Sequence, residues 1–211
     1  MPKQNRVTPM GEIVRAPERG TLLGNRGILH NEQQEIIRPY QVKRWIICVL
    51  QFKNRQRQVM TPNQYTELFF LDEATALAAG HRPCFECQRE RAQAFQAAWQ
   101  KAFNLSNLPS VAEMDAQLHQ ERLTDARLLK DKRKRTFTAV LTSLPDGVFV
   151  EIEKRPCLWW QQQLYPWSMA GYLPPITHPQ TRPVFVLTPY SIVAVIKRGY
   201  TPTFPPSILV T

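Results

Sequence analysis

The stretch Tyr65-Thr66-Glu67-Leu68-Phe69-Phe70-Leu71-Asp72-Glu73-Ala74-Thr75-Ala76-Leu77-Ala78-Ala79-Gly80-His81-Arg82-Pro83-Cys84-Phe85-Glu86-Cys87 decides how the rest of the chain is read. Its first six residues form a short β-rich run. Asp72 then stands at the N-cap of an alanine-rich helix, because a short side-chain oxygen can accept a free backbone N–H of the first turn. Gly80 stops that helix, being the residue type that enters left-handed backbone without a Cβ penalty. After His81-Arg82-Pro83, two cysteines two residues apart run into a longer helix. Ala92, Phe95, Ala98, Trp99 and Phe103 fall on one side of it, which should face the core.

Working outward, residues 1–25 mix Arg, Pro, Gly and Thr without periodicity and are expected to be irregular. Ile28-Leu29, Ile36-Ile37 and Trp45–Phe52 read as short strands, and Trp45–Phe52 with Gln58–Thr61 as a hairpin. Ser110-Val111-Ala112-Glu113 is a capping box opening a third helix with the apolar stripe Val111, Met114 and Leu118. Beyond Arg135, Thr136–Leu141 and Val148–Ile152 flank Pro145-Asp146-Gly147 and are expected to form a hairpin. Val184–Leu187 is a further strand, and a last helix starts at Thr188-Pro189 or Ser191 and stops at Gly199. The class is α+β: N-terminal strands, a cysteine-bearing turn, a helical middle, then C-terminal strands with one helix. Three regions follow: residues 1–25 irregular, residues 26–125 metal-binding and helical, and residues 126–211 β-rich and packed on the preceding region.

At 211 residues, with 43% hydrophobic and 21% charged residues, the chain can bury a core without disulfides and is not disordered throughout. The longest strongly apolar run, Trp45–Leu50, is far short of the roughly 18 residues of a membrane span. The basic N-terminus leads into no apolar segment, so a cytoplasmic protein without a secretory leader is expected. The net charge of +10 is uneven: +7 over residues 1–57, −4 over 58–125 and +7 over 126–211. Such fields concentrate polyanions, which makes nucleic acid the natural partner class, with solubility alone as the plainer explanation. Glycine-rich phosphate loops and dinucleotide fingerprints are absent, which disfavours nucleotide-dependent enzymes.

The four cysteines are Cys48, Cys84, Cys87 and Cys157. In a cytosolic setting Cys84-x-x-Cys87 is a metal or redox pair rather than a disulfide. Zinc fits best, because the motif follows a short helix and a proline instead of the strand that opens a redox unit. Cys48, in the most apolar strand, is the best third ligand. His81, His30 or His119 could supply the fourth, with Cys157 the weaker choice. Buried, idle thiols are the alternative.

Residues from about Trp45 to Cys87 resemble the metal-binding domain of the Ada methylphosphotriester-repair proteins. That domain has an aromatic strand end, an alanine-rich helix and Ala-Gly-aromatic-Arg-Pro-Cys-x-x-Cys, with His81 here in the aromatic's place. Ile46-Ile47-Cys48 is similar to the family's apolar-aromatic-Cys, whose cysteine ligates zinc and accepts the methyl group. The resemblance implies Cys84 and Cys87 as the two C-terminal zinc ligands. The family's remaining ligand, four residues further on, falls at Phe52, and the spacing from Cys48 to Cys84 is longer than the family's. What the resemblance implies is therefore a zinc fold used beside DNA, not an activity. The whole chain is also similar to a group of bacterial proteins sharing this core, a likeness that adds no activity.

Asp115, His119 and Arg122 project from one face of the third helix, and a carboxylate that orients an imidazole makes a general base. This constellation gives a second reading, a metal-assisted hydrolase, a nuclease among them, centred on Asp115 and His119. A helix-fastening pair is the simpler role. Lys130, Lys132, Arg133, Lys134 and Arg135 precede the strand that starts Thr136-Phe137 and are candidate phosphate contacts. Trp159, Trp160, Tyr165, Trp167 and Tyr172 form either a docking surface, which would make the protein an interaction module, or part of the C-terminal core.

Overall fold

Two six-stranded sheets form the β part of the computed structural model, which describes residues 1–56, 58–125 and 133–204. The first sheet contains β1 (Gln4–Val7), β2 (Ile13–Arg15), β3 (Leu22–Asn25), β4 (Ile46–Val49), β5 (Leu68–Phe70) and β6 (Arg82–Pro83). They lie in the order β2-β1-β5-β3-β4-β6. Residues 1–25 are thus not irregular: they supply three strands, whose short length hid the two-residue period. The hairpin expected between Trp45–Phe52 and Gln58–Thr61 does not form either. β4 instead pairs antiparallel with β3 and parallel with β6.

The second sheet contains β7 (Phe137–Val140), β8 (Val148–Ile152), β9 (Arg155–Trp160), β10 (Gln163–Ser168), β11 (Gly171–Tyr172) and β12 (Pro183–Val186). Its order is β11-β10-β9-β8-β12-β7. β8 to β11 form an antiparallel meander. β12 inserts between β7 and β8, so the expected β7–β8 hairpin is replaced by a crossover. The tight turns sit at Glu153-Lys154 and Gln161-Gln162, all four residues having positive φ. That is the twist a two-residue hairpin requires, met here without glycine.

Four α-helices, α1 (Glu73–Ala78), α2 (Arg89–Ala102), α3 (Val111–Arg122) and α4 (Tyr190–Lys197), and one 3-10 turn at Leu141–Ser143 complete the described elements and establish the α+β class. α1 has no exposed face: all six of its residues are buried. Ala76 and Leu77 join the main core, while Ala74 and Ala78 pack with Phe149, Leu158, Tyr165 and Leu187. Alanine suits this place because its short side chain lets neighbours approach the helix from both sides. Asp72 caps the helix by accepting from the Thr75 N–H at 2.7 Å. Gly80 ends it at φ +87°, where a Cβ would also stand 2.6 Å from the Arg122 stem.

The polar groups of α1 are matched from distant parts of the chain. Trp167 Nε1 donates to Thr75 Oγ1 at 3.1 Å, and the Tyr172 hydroxyl donates to Asp72 at 2.6 Å. Glu73, 1% exposed, accepts from Arg91, from the Tyr200 hydroxyl, and from the Thr203 N–H and hydroxyl at 2.9 and 3.0 Å. A carboxylate buried with these partners is costly to remove, because the donors are left unpaired inside. Glu73→Ala should therefore lose about 3 kcal/mol of stability in urea titration, towards the lower end for a buried pair because Arg91 is partly exposed. A loss below about 1 kcal/mol would show that these bonds do not hold α1 in place.

Candidate metal centre

The parallel neighbours β4 and β6 are in register with Ile46 opposite Arg82 and Ile47 opposite Pro83. The ladder continues beyond β6, because Cys84 N donates to Ile47 O at 3.0 Å. Side chains alternate along each strand, so Ile46, Cys48, Arg82 and Cys84 share one face, and Trp45, Ile47 and His81 share the other. Cys87 is carried back to the first face by the turn in which Gln88 N donates to Cys84 O at 3.0 Å. Gln88 Nε2 fastens the same turn to Ile47 O at 2.9 Å. The Sγ atoms of Cys48, Cys84 and Cys87 consequently lie within 4.8 Å of one another, close enough to hold a metal ion.

The three thiols are not equivalent. A hydrogen bond from the Cys48 thiol, aided by the backbone N–H groups of Cys87 and Glu86, pulls Cys84 down to about 5 against its burial. The same hydrogen bond to Cys84, followed by burial, pushes Cys48 up, and burial pushes Cys87 up. Cys84 is thus the natural thiolate of the group. All three line a cavity of about 790 Å³, whose walls include Arg44, Phe52, Arg55, Phe69 and Phe85. Arg55 pairs with Glu86 at 2.6 Å, and both Arg55 and Lys53 lie over the Phe52 ring.

His81 is not the fourth member of this group. It stands three residues before Cys84, an odd step along a strand, and so points to the opposite face of the sheet. There it is fully buried against Trp45 and Phe70, and its Nε2 accepts from Arg26 Nε at 3.1 Å. Burial, with the charges of Arg26 and Arg122, lowers its pKa well below the ordinary value. His30 is engaged elsewhere, by Thr66 Oγ1 at 2.6 Å and Thr61 O at 3.1 Å. His119 lies edge-on to Tyr40. Cys157 is buried in β9 of the second sheet. Among the described residues none of these four joins the cysteine group.

The remaining expectations fare unevenly. Both oxygens of Asp115 are taken by Arg82, at 2.9 and 2.7 Å, in a buried ion pair that ties α3 to the strand before the cysteine turn. Asp115 thereby fastens a helix, as the simpler role had it, but to an arginine from another element. Arg122, on the same helix, is also buried: it is 2% exposed and donates to Gly80 O and Lys43 O. Lys134 likewise turns inward, its Nζ donating to Ala78 O at 2.6 Å. Arg133 and Arg135 are exposed, with Arg135 paired to Asp125, and Lys130 and Lys132 lie outside the described residues. Of the aromatic segment, Trp159 and Tyr165 belong to the core, each 4% exposed, while Trp160, Trp167 and Tyr172 are half-buried and pack against it. Arg82 was missed as a partner for Asp115, although its place in Arg-Pro-Cys-x-x-Cys ties it to the site.

Lys134 makes a testable case. Burial, then the charges of Arg26 and Arg122, lower it from 10.5 to about 7. Between those values the unfolded chain binds the extra proton, so this lysine makes stability rise as pH increases from about 7 towards 10.5. Lys134→Met should flatten that rise in urea titrations across the window. An unchanged slope would mean that the ammonium is solvated.

No protein-family model, curated protein or solved structure matches the chain, so what the site does has to be read from its own chemistry.

Proposed function

We propose that the protein binds one zinc ion through Cys48, Cys84 and Cys87 and acts on or beside nucleic acid. The observation that carries this is the cysteine group itself: three sulfur donors within 4.8 Å, drawn from a strand and a Cys-x-x-Cys turn. Thiolates are soft ligands suited to zinc, and zinc–sulfur distances of about 2.3 Å put tetrahedral sulfurs about 3.8 Å apart. The resemblance of residues 45–87 to the Ada metal-binding domain supports the same ion. Phe52, where that family's remaining ligand falls, lines the cavity over the thiols. With no fourth protein donor in the group among the described residues, the last position would be left to a ligand from the cavity. Bound zinc would supply a Lewis acid there, while the three thiols hold it.

The nucleic-acid half of the proposal is supported by the net charge of +10 and by the cavity's composition. Arg44 and Arg55 are exposed at its edge, next to the rings of Phe52, Phe69 and Phe85. Cations beside aromatic faces suit phosphates and stacked bases respectively. A hydrolase centred on Asp115 and His119 is less well supported, because Arg82 already holds both oxygens of that carboxylate. A cytoplasmic setting, as proposed from the sequence, would keep the thiols reduced. No described helix is long and apolar enough to cross a membrane.

Elemental analysis should find about one zinc per chain, retained in Cys157→Ser and lost in Cys84→Ser/Cys87→Ser. Full occupancy in the double variant would overturn the metal assignment. Fluorescence anisotropy with labelled DNA across a salt series tests the other half. Arg44→Gln/Arg55→Gln should weaken binding and reduce the slope of log affinity against log salt by roughly 1 for each phosphate contact removed. Binding with no salt dependence, or none at all, would remove nucleic acid and leave the zinc assignment standing.

A further inference from the structure

On the far side of β4 from the cysteines, cations meet inside the protein, and among the described residues no carboxylate is bonded to any of them. Arg26, directly after β3, is 1% exposed. Its Nε donates to His81, and its Nη1 to Gly11 O at 3.1 Å, but its buried Nη2 has no partner among the described residues. Arg122 also has a buried, unpartnered Nη2. The guanidinium carbons of Arg26 and Arg122 lie 4.0 and 4.6 Å from the centre of the Trp45 ring. Lys134 joins them closely enough for both arginines to depress its pKa. The acids that act on Arg122 are committed elsewhere: Asp115 is held by Arg82, and both oxygens of Glu121 accept from Ser191. Buried like charges with spare donors are unfavourable unless an anion joins them.

Arg26 and Lys134 line a second cavity, of about 760 Å³, which Arg38 and Arg133 also border. We propose that this cavity is a binding site for a small phosphate monoester, with the phosphate on Arg26 and Lys134. A guanidinium edge and an ammonium supply the geometry and the charge that a phosphate dianion accepts. The volume lies within the range of small-ligand sites. Ile36, Ile37 and Phe185 give it an apolar wall for the organic part of the ester, and Ile37 and Phe185 are 54% and 53% exposed. Glu12 and Glu151 also border the cavity. They would repel a polyanion laid across its mouth, which favours a single phosphate group over a nucleic-acid strand.

Isothermal titration with phenyl phosphate and with inorganic phosphate, at constant ionic strength set by chloride, tests this. Both should bind at one site, the ester more tightly through the apolar wall, and inorganic phosphate should compete with the ester. Lys134→Met, which removes one charge-assisted bond, should weaken both by about tenfold or more. Arg38→Gln, at a half-buried position, should weaken them less and serves as the second variant should Lys134→Met not fold. No binding of either probe to the wild type up to about 10 mM, or unchanged affinity in both folded variants, would overturn the proposal.

Discussion

A helix of six residues with no exposed face sets the terms for the rest of the molecule. Such a helix is too short to be stable by itself, so its neighbours must hold it. They do so on both sides with apolar packing and at its start with polar bonds from residues roughly 90 to 130 positions later in the chain. Tyr172, Trp167, Tyr200 and Thr203 reach α1 from the second sheet and the segment after α4. The two sheets are therefore joined through α1, and its exit at Gly80 starts the chain along β6, beside β4. The cysteine turn inherits its position from that exit.

Strand parity then decides which side chains can meet. Arg82 and Cys84 fall on the cavity face with Cys48, while His81 falls on the core face with Trp45. A sequence reading that counts only distance along the chain treats His81 as adjacent to Cys84. The pleat separates them across the sheet. The same rule sends the sulfurs of Cys48 and Cys84 into one cavity, where the turn adds that of Cys87, and the imidazole towards Arg26, which is why a metal group and a cationic group can form on opposite sides of one strand.

What was legible in the sequence were features fixed by local chemistry: the Asp72 cap, the Gly80 stop, the capping box at Ser110 and Glu113, and the core face of α2. The grouping of Cys48 with Cys84 and Cys87 was legible as well, because an apolar strand and a Cys-x-x-Cys turn each announce themselves. Pairings between distant segments were not. β12 slips between β7 and β8, and β1 joins β5 through a single parallel pair. Nor were the turns at Glu153-Lys154 and Gln161-Gln162, since residues other than glycine rarely adopt positive φ and carry no signal when they do.

Burial also changes what the charge of this protein means. The formal excess of +10 counts Arg26, Arg82, Arg122 and Lys134 as if they faced water. The first three are 2% exposed or less, and the ammonium of Lys134 is turned inward to Ala78. Of these four, only Arg82 has a carboxylate partner in a direct ion pair among the described residues. Much of the positive charge thus acts over a few ångströms inside the fold, where screening is weak, rather than as a long-range field over the surface. Attraction of a polyanion depends on the exposed cations that remain, such as Arg44, Arg55 and Arg133. A small anion that can enter the protein meets a stronger and more localised charge than the surface presents. Composition alone points to the first kind of partner, and the placement of the charges makes room for the second.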